Sequence, residues 1–198
     1  MYFTLSSDFL KELKVNSVLE KAGLPSLSEV TLGPSIGINL YVGRAMVNVE
    51  GGVRSLTKKN KSGMSSFIRY VPASINLYYR LFNLTETSGF NIGCGYQISA
   101  FNADIFSKNS QADLNNLTID DLQGALNLNA FSHGPEFSVL LFSHEEKSWW
   151  DNTNVKLSYS LDFSKPEWKS ASTNLSSSFS ENFSRFDISI IRVFRRWK

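Results

Sequence analysis

Leu32-Gly33-Pro34-Ser35-Ile36-Gly37-Ile38-Asn39-Leu40-Tyr41-Val42 decides the fold. Leu32, Pro34, Ile36, Ile38, Leu40 and Val42 fall on one face, and Gly33, Ser35, Gly37, Asn39 and Tyr41 fall on the other. Successive side chains of a strand point to opposite faces, so a strict period of two predicts a β-strand with one apolar side. Gly43-Arg44 follows, and alternation resumes over residues 45–55. There Ala45, Val47, Val49, Gly51 and Val53 oppose Met46, Asn48, Glu50, Gly52 and Arg54. Two alternating runs joined by a two-residue, glycine-containing link predict a hairpin.

The same period recurs outward from this hairpin. Val71, Ala73, Ile75, Leu77, Tyr79 and Leu81 share a face, as do Phe90, Ile92, Cys94, Tyr96, Ile98 and Ala100. Shorter runs cover residues 137–141, 157–163 and 186–190, and a first strand is expected over residues 2–6, which makes eight. Short links at Gly43-Arg44 and residues 83–88, with a medium one at 143–154, alternate with long polar ones at 7–31, 56–65, 106–132 and 164–182. This alternation predicts one domain over residues 1–198, an all-β, eight-stranded, antiparallel up-and-down barrel. The loops leave room for a minor helix. Phe9, Leu10, Leu13, Val18 and Leu19 precede Gly23-Leu24-Pro25, and Leu114, Leu117, Leu122 and Leu126 give a weaker helical pattern. Pro34, Pro72 and Pro135 are expected near strand starts, because proline has no N–H for a ladder.

Composition narrows the environment. The chain has 198 residues, with 42% hydrophobic and only 19% charged. Thirty serines and seventeen asparagines make it polar without charge. A net charge of +2 with mixed signs gives no electrostatic case for nucleic acid. The single cysteine, Cys94, forms no internal disulfide, and no apolar run is long enough for a transmembrane helix. Met1-Tyr2-Phe3 lacks the basic and apolar regions of a signal peptide, which predicts a mature or trimmed chain.

The polar faces choose between a soluble and a membrane barrel. They carry Gly33, Gly37, Gly52, Gly93 and Gly95 with Ser, Asn and Gln, rather than the dense Lys and Glu of a water-facing sheet. Such faces fit a narrow lumen, and the uniformly apolar faces fit lipid. The lipid-facing set is therefore expected to be Ile36, Ile38, Leu40, Val47, Val49, Ile75, Leu77, Ile92, Ile98, Leu157 and Leu161. Inside, Glu50, Arg80, Lys156, Asp162 and Asp187 are expected to form a mixed-sign network, since an enclosed charge needs a partner. Asn39, Asn48, Asn76, Gln97 and Ser158 should share that interior. Tyr41, Tyr70, Tyr79, Phe82, Trp149, Trp150, Phe194 and Trp197 lie near predicted strand ends, as interfacial aromatics do. The run Val139-Leu140-Leu141-Phe142 breaks the alternation and counts against a polar interior at that strand.

The succession Leu19-Glu20-Lys21-Ala22-Gly23-Leu24-Pro25-Ser26-Leu27, then Leu32-Gly33-Pro34-Ser35-Ile36-Gly37, then Glu50-Gly51-Gly52 resembles small outer-membrane β-barrel proteins of Bacteroidota, of the OmpA/OmpX/OmpW-like kind. Residues 72–79 and 91–96, and Leu157-Ser158-Tyr159-Ser160-Leu161 with Trp168, continue the likeness. It implies an eight-stranded transmembrane barrel of the bacterial outer membrane, with periplasmic termini, short periplasmic turns and longer outer loops. Arg195-Arg196-Trp197-Lys198 departs from the terminal aromatic of many barrel insertion signals, although Phe194 or Trp197 stands close to the end.

No residue pattern points to catalysis, a cofactor or a metal. His133 and His144 each follow a serine directly, and neighbours on a strand point to opposite faces, so neither Ser-His pair can act together. Asp113, Asp120 and Asp121 lack the glycine and glutamate of a calcium loop. Lys58-Lys59-Asn60-Lys61 reads as a solvated basic tip. The expected function is non-enzymatic: a structural or adhesion protein, or an accessory subunit of an outer-membrane complex. Outer-membrane lipid is the expected partner, with a protein partner possible through the outer loops. Two alternatives stand beside it: a soluble, lipocalin-like barrel holding an apolar ligand, and a lipid-A-modifying hydrolase.

Overall fold

Gly43 has φ of +60° and stands in a two-residue link between Val42 and Ala45, which face each other. Positive φ at the first central position is the type II′ geometry, whose twist matches the strands it joins. From this hairpin the ladder extends both ways until it closes. The computed structural model describes residues 1–59, 64–85, 88–107, 126–143, 152–170 and 180–193. Its elements are β1 (Tyr2–Leu10), α1 (Lys14–Lys21), β2 (Val30–Val42), β3 (Ala45–Gly52), β4 (Arg54–Lys59), β5 (Met64–Asn83), β6 (Ser88–Ser107), β7 (Leu126–Ser143), β8 (Thr153–Ser160), β9 (Lys169–Ser170) and β10 (Arg185–Val193).

Every pairing is antiparallel. β1 pairs with β2 and β2 with β3, β3 and β4 both pair with β5, β5 to β8 pair in succession, β9 adds to β7, and β10 closes the ring between β8 and β1. The result is a closed ring of eight strands, because β3 and β4 are one strand in unbroken register. Gly52 faces Ser35 while Ser55 faces Leu32, and Gly51 faces Ala73 while Arg54 faces Tyr70. The interruption falls at Val53, beside Pro34 of β2 and Pro72 of β5, two residues with no N–H to give. Pro34 and Pro72 thus lie inside long strands, not near their starts. Pro135 lies within β7, where it accepts the Leu161 N–H just as β8 ends.

Strands are longer and links shorter than the sequence pattern indicates. Ser7–Leu10 belongs to β1, Leu56–Lys59 to β4 and Leu126–Ser132 to β7, where Leu126 faces Ile105 and Ser132 faces Ser99. Of the residues expected in the first loop helix, Phe9 and Leu10 extend β1, and only Lys14–Lys21 is helical. α1 ends at Gly23, whose φ is +72°, with the Leu24 N–H returning to the Leu19 carbonyl. The weaker helical pattern lies outside the described residues except for Leu126. No helix among the described residues is long and apolar enough to cross a membrane.

The outer face carries an apolar band. Residues 32–42, 71–81 and 90–100 each contribute eleven positions that alternate outward apolar with mostly small or polar inward side chains, and residues 131–141 follow the same alternation except at His133, which faces out, and Leu140, which faces in. Eleven residues at ~3.4 Å rise, tilted by ~40°, give a band about 25 Å tall. Beyond it, on β5, β6 and β7, side chains keep alternating in the same phase but the two faces exchange polarity. Tyr70, Ile68, Phe101, Ala103, Ile105 and Leu128 turn inward and are buried, while Arg69, Asn102, Asp104, Asn127 and Asn129 turn outward. Tyr70 is therefore no interfacial aromatic: it is fully enclosed and stacks on Phe101 at 4.6 Å between centroids. Tyr41, Tyr79 and Phe82 do stand exposed near the short-turn end. Trp149, Trp150, Phe194 and Trp197 lie outside the described residues.

Candidate functional site

The lumen is filled in three layers. At the short-turn end Tyr2, Met46, Tyr78, Leu140 and Ile191 pack together, with Val193 against them. Leu140 explains the broken alternation of its strand: it points inward with Phe142, while Leu141 faces out. Glycine makes room for the two tyrosines. A Cβ on Gly37 would stand 2.2 Å from the Tyr2 hydroxyl oxygen, and one on Gly93 would stand 2.6 Å from the Tyr78 ring.

The middle layer is charged. Lys156 Nζ lies 3.1 Å from Glu50 Oε2 and 3.9 Å from Glu136 Oε1, and Arg54 Nε lies 2.9 Å from Asp8 Oδ2. All five residues are at most 6% exposed. The Tyr2 hydroxyl donates to Glu50 Oε2 at 2.9 Å, and Asn76 Nδ2 donates to Glu136 Oε1 at 3.1 Å. Asp187 accepts from Ser158 and Ser189, and Ser189 bonds Ser6 across the β1–β10 seam. Arg185, also buried, donates to the Ser99 hydroxyl at 2.7 Å and lies over the Tyr70 ring.

Of the residues expected to form a network, Glu50 and Lys156 meet directly and Asp187 lies in the same layer. Arg80 and Asp162 belong elsewhere. Arg80 sits half-buried near the short-turn end, 4.8 Å over the Phe142 ring, too far along β5 to reach a carboxylate of the layer. Asp162 lies past the end of β8 and accepts the Ser164 and Phe183 N–H groups, so it organises a loop. Asp8, Glu136 and Arg185 escaped the sequence reading, and Arg54, which alternation puts on the face of Glu50, was not counted in the network. Asp8 and Arg185 lie just beyond the predicted strand ends, and Glu136 lies one residue before its predicted strand.

The third layer, at the loop end, is an apolar core. Leu10, Ile68, Tyr70, Phe101, Ala103, Ile105 and Leu128 of the wall enclose Leu13, Val15, Leu19, Leu27, Trp168 and Phe183 from the links above. Glu181, 1% exposed, holds this cap in place. Its carboxylate accepts the Lys14 and Val15 N–H groups at the start of α1, each at 3.0 Å, and Trp168 Nε1–H at 3.3 Å. Asn16 completes the clamp through the Leu27 N–H and carbonyl. Glu181→Ala strands those donors in an apolar setting. An expected cost of about 1–3 kcal/mol should appear as faster proteolysis within residues 11–29, with the barrel core still protected.

Enclosed spaces are small. The charged layer surrounds about 30 Å³, and the other interior voids described hold about 10 Å³ each. A larger space, about 610 Å³, is an apolar groove on the outer wall beside Leu77, Ile92, Cys94, Phe137, Leu157 and Phe186. The expected lipid-facing side chains all lie on this outer wall. Ile36, Ile38, Leu40, Val49, Ile75, Leu77, Ile92, Ile98 and Leu157 are 37–57% exposed, and Val47 and Leu161 are half-buried there. Inside, Asn48, Asn76, Gln97 and Ser158 are buried, and Asn39 is half-buried.

His133 faces outward, its Nδ1 bonded to the Tyr96 hydroxyl and its ring beside Phe131. His144, Asp113, Asp120 and Asp121 lie outside the described residues. Among the described residues no cluster of three or more His, Cys, Asp or Glu is arranged to hold a metal. Lys58 of the basic tip donates to the Ser26 hydroxyl at 2.7 Å.

No protein-family model matches the chain, and no curated protein matches it. Solved structures do resemble it. Ail, the attachment invasion locus protein of Yersinia pestis, is similar with a TM-score of 0.47 and 7% identity, over 96% of this chain and 93% of that one. Ail in complex with the heparin analogue sucrose octasulfate gives 0.49 and 9%, over 96% and 93%. Neisserial surface protein A gives 0.45 and 11%, over 98% and 96%.

Proposed function

We propose that this chain is a non-conducting outer-membrane β-barrel with a structural or adhesive role, alone or as an accessory subunit, and that its partners meet it on its outer surface. The observation that carries this reading is the contrast between its two faces. Outside lies a continuous apolar band of the height that lipid requires, and soluble proteins do not leave so large an apolar surface bare. Inside lies a filled, ion-paired lumen closed by apolar layers at both ends. Termini and short turns then face the periplasm, and α1 with the long links faces out. Membership among the small barrels of Bacteroidota rests on the glycine and alternation segments alone.

A soluble ligand carrier needs an apolar interior cavity, and the interior here is charged around about 30 Å³. A lipid-modifying enzyme needs a serine and a carboxylate beside its histidine, and the His133 ring instead meets Tyr96 and Phe131. The test combines two measurements on refolded protein. It should migrate differently boiled and unboiled in detergent, and it should give no single-channel steps in a planar bilayer. Reproducible conductance would overturn the sealed-lumen reading, and folding to a detergent-free soluble monomer would overturn the membrane reading.

A further inference from the structure

Immediately beyond the apolar band, one register row crosses four strands on the outer face. Arg69 of β5 faces Asn102 of β6, Asn102 faces Asn129 of β7, and Asn129 faces Lys169 of β9. The row follows the last apolar outward residues, Val71, Ala100 and Phe131, by one step of the pleat on each of the first three strands. Ile68, Tyr70, Phe101, Ala103 and Leu128 around it are buried inward, so the row itself points out. Arg69 and Lys169 are exposed, and neither has a hydrogen-bonding or ion-pairing partner among the described residues.

The two amides between them are oriented by a ladder. Asn102 Nδ2 donates to Asn129 Oδ1 at 2.9 Å, Asn129 Nδ2 donates to Asn127 Oδ1 at 2.7 Å, and Asn127 Nδ2 donates to Asp104. Each amide nitrogen spends one of its two hydrogens in this chain and keeps the second. Asp104, the one carboxylate in the ladder, lies a further step away and accepts from Asn127.

We propose that this row docks the headgroup of a phosphorylated glycolipid in the outer leaflet, Arg69 and Lys169 each taking a phosphate and the amides between them taking sugar hydroxyls. The inference rests on the outer-membrane reading above and names a partner for it. Charge complementarity selects an anion, and guanidinium and ammonium groups are the usual phosphate donors. Spacing selects the class. Three inter-strand steps separate the cations by about 14 Å, a span that one phospholipid phosphate does not bridge and that a short sugar headgroup phosphorylated at both ends does. Donors left over between the cations suit hydroxyls rather than acyl chains.

The experiment measures retention of labelled lipopolysaccharide by the full chain in zwitterionic micelles during size-exclusion chromatography. Parallel samples use dephosphorylated lipopolysaccharide and phosphatidylglycerol. The wild type should retain the phosphorylated glycolipid, and R69Q/K169Q should weaken retention at least tenfold, as should dephosphorylation, while K59Q leaves it unchanged. Unchanged retention by R69Q/K169Q overturns the proposal, and so does equal retention of phosphatidylglycerol, which would mark general attraction of anions. Heat-modified migration of the same samples separates the two failures. Its absence in the wild type removes the membrane reading, whereas its presence with an indifferent double variant removes the docking surface alone.

Discussion

Lys156→Met is expected to destabilise the barrel by about 3–5 kcal/mol, the usual cost of removing one member of a buried ion pair. Lys156 stands between Glu50 and Glu136, both enclosed, and methionine fills its volume without its charge. Two carboxylates then face each other in the lumen with no cation between them. Urea unfolding in micelles, followed by the loss of heat-modified migration, reads the effect. Lys59→Met, at an exposed position of β4, should stay within about 0.5 kcal/mol of wild type. E50Q/K156M should recover part of the loss, because it removes a stranded charge together with its former partner. A K156M protein as stable as wild type would mean that water, rather than Lys156, compensates the carboxylates.

Why Lys156 outranks Arg80 shows what the sequence can carry. Strict alternation in residues 32–42, 45–55, 71–81 and 90–100 was enough to place each side chain on a face, because a strand admits only two. Depth along the lumen has no such rule. Arg80 and Lys156 both alternate inward, yet Arg80 ends near the short turns over Phe142 while Lys156 reaches the central layer. Tilt and register around the ring set that depth, and they depend on pairings between segments distant in sequence. The loop-end core was hidden for a different reason. Apolar side chains were read as outward throughout, whereas β5, β6 and β7 keep one inward-outward direction and carry their apolar side chains inward beyond the doublets Tyr70-Val71, Ala100-Phe101 and Ala130-Phe131. Those doublets are visible in the sequence, and they align across the sheet, with Val71 opposite Ala100 and Ala100 opposite Phe131. Two adjacent apolar residues in an alternating strand thus mark where the surroundings of the wall change. The serine and asparagine content that favoured a polar lumen also concealed this cap, since residues such as Asn16 and Ser66 are buried in it.

Ile38→Arg supplies the sharpest test of which medium the outer wall meets. Ile38 is 48% exposed, lies at the middle of the band in residues 32–42, and faces Val49 on the neighbouring strand. In a bilayer an arginine near the midplane costs about 2–4 kcal/mol, and near the edge of the band about 0–1 kcal/mol. Ala100→Arg, at the edge of the band on β6, should therefore cost much less than Ile38→Arg. Ile38→Val keeps the surface apolar, and lipid chains conform to either shape, so it should leave folding unchanged. In a water-facing barrel the ordering disappears. All three replacements would then alter stability by no more than about 0.5 kcal/mol, and the two arginines would raise solubility by breaking an exposed apolar surface. Reversible unfolding of the three variants in phospholipid vesicles decides the matter. A graded penalty, largest at Ile38 and small at Ala100, places the band in lipid, and a flat response removes the membrane from the account of this fold.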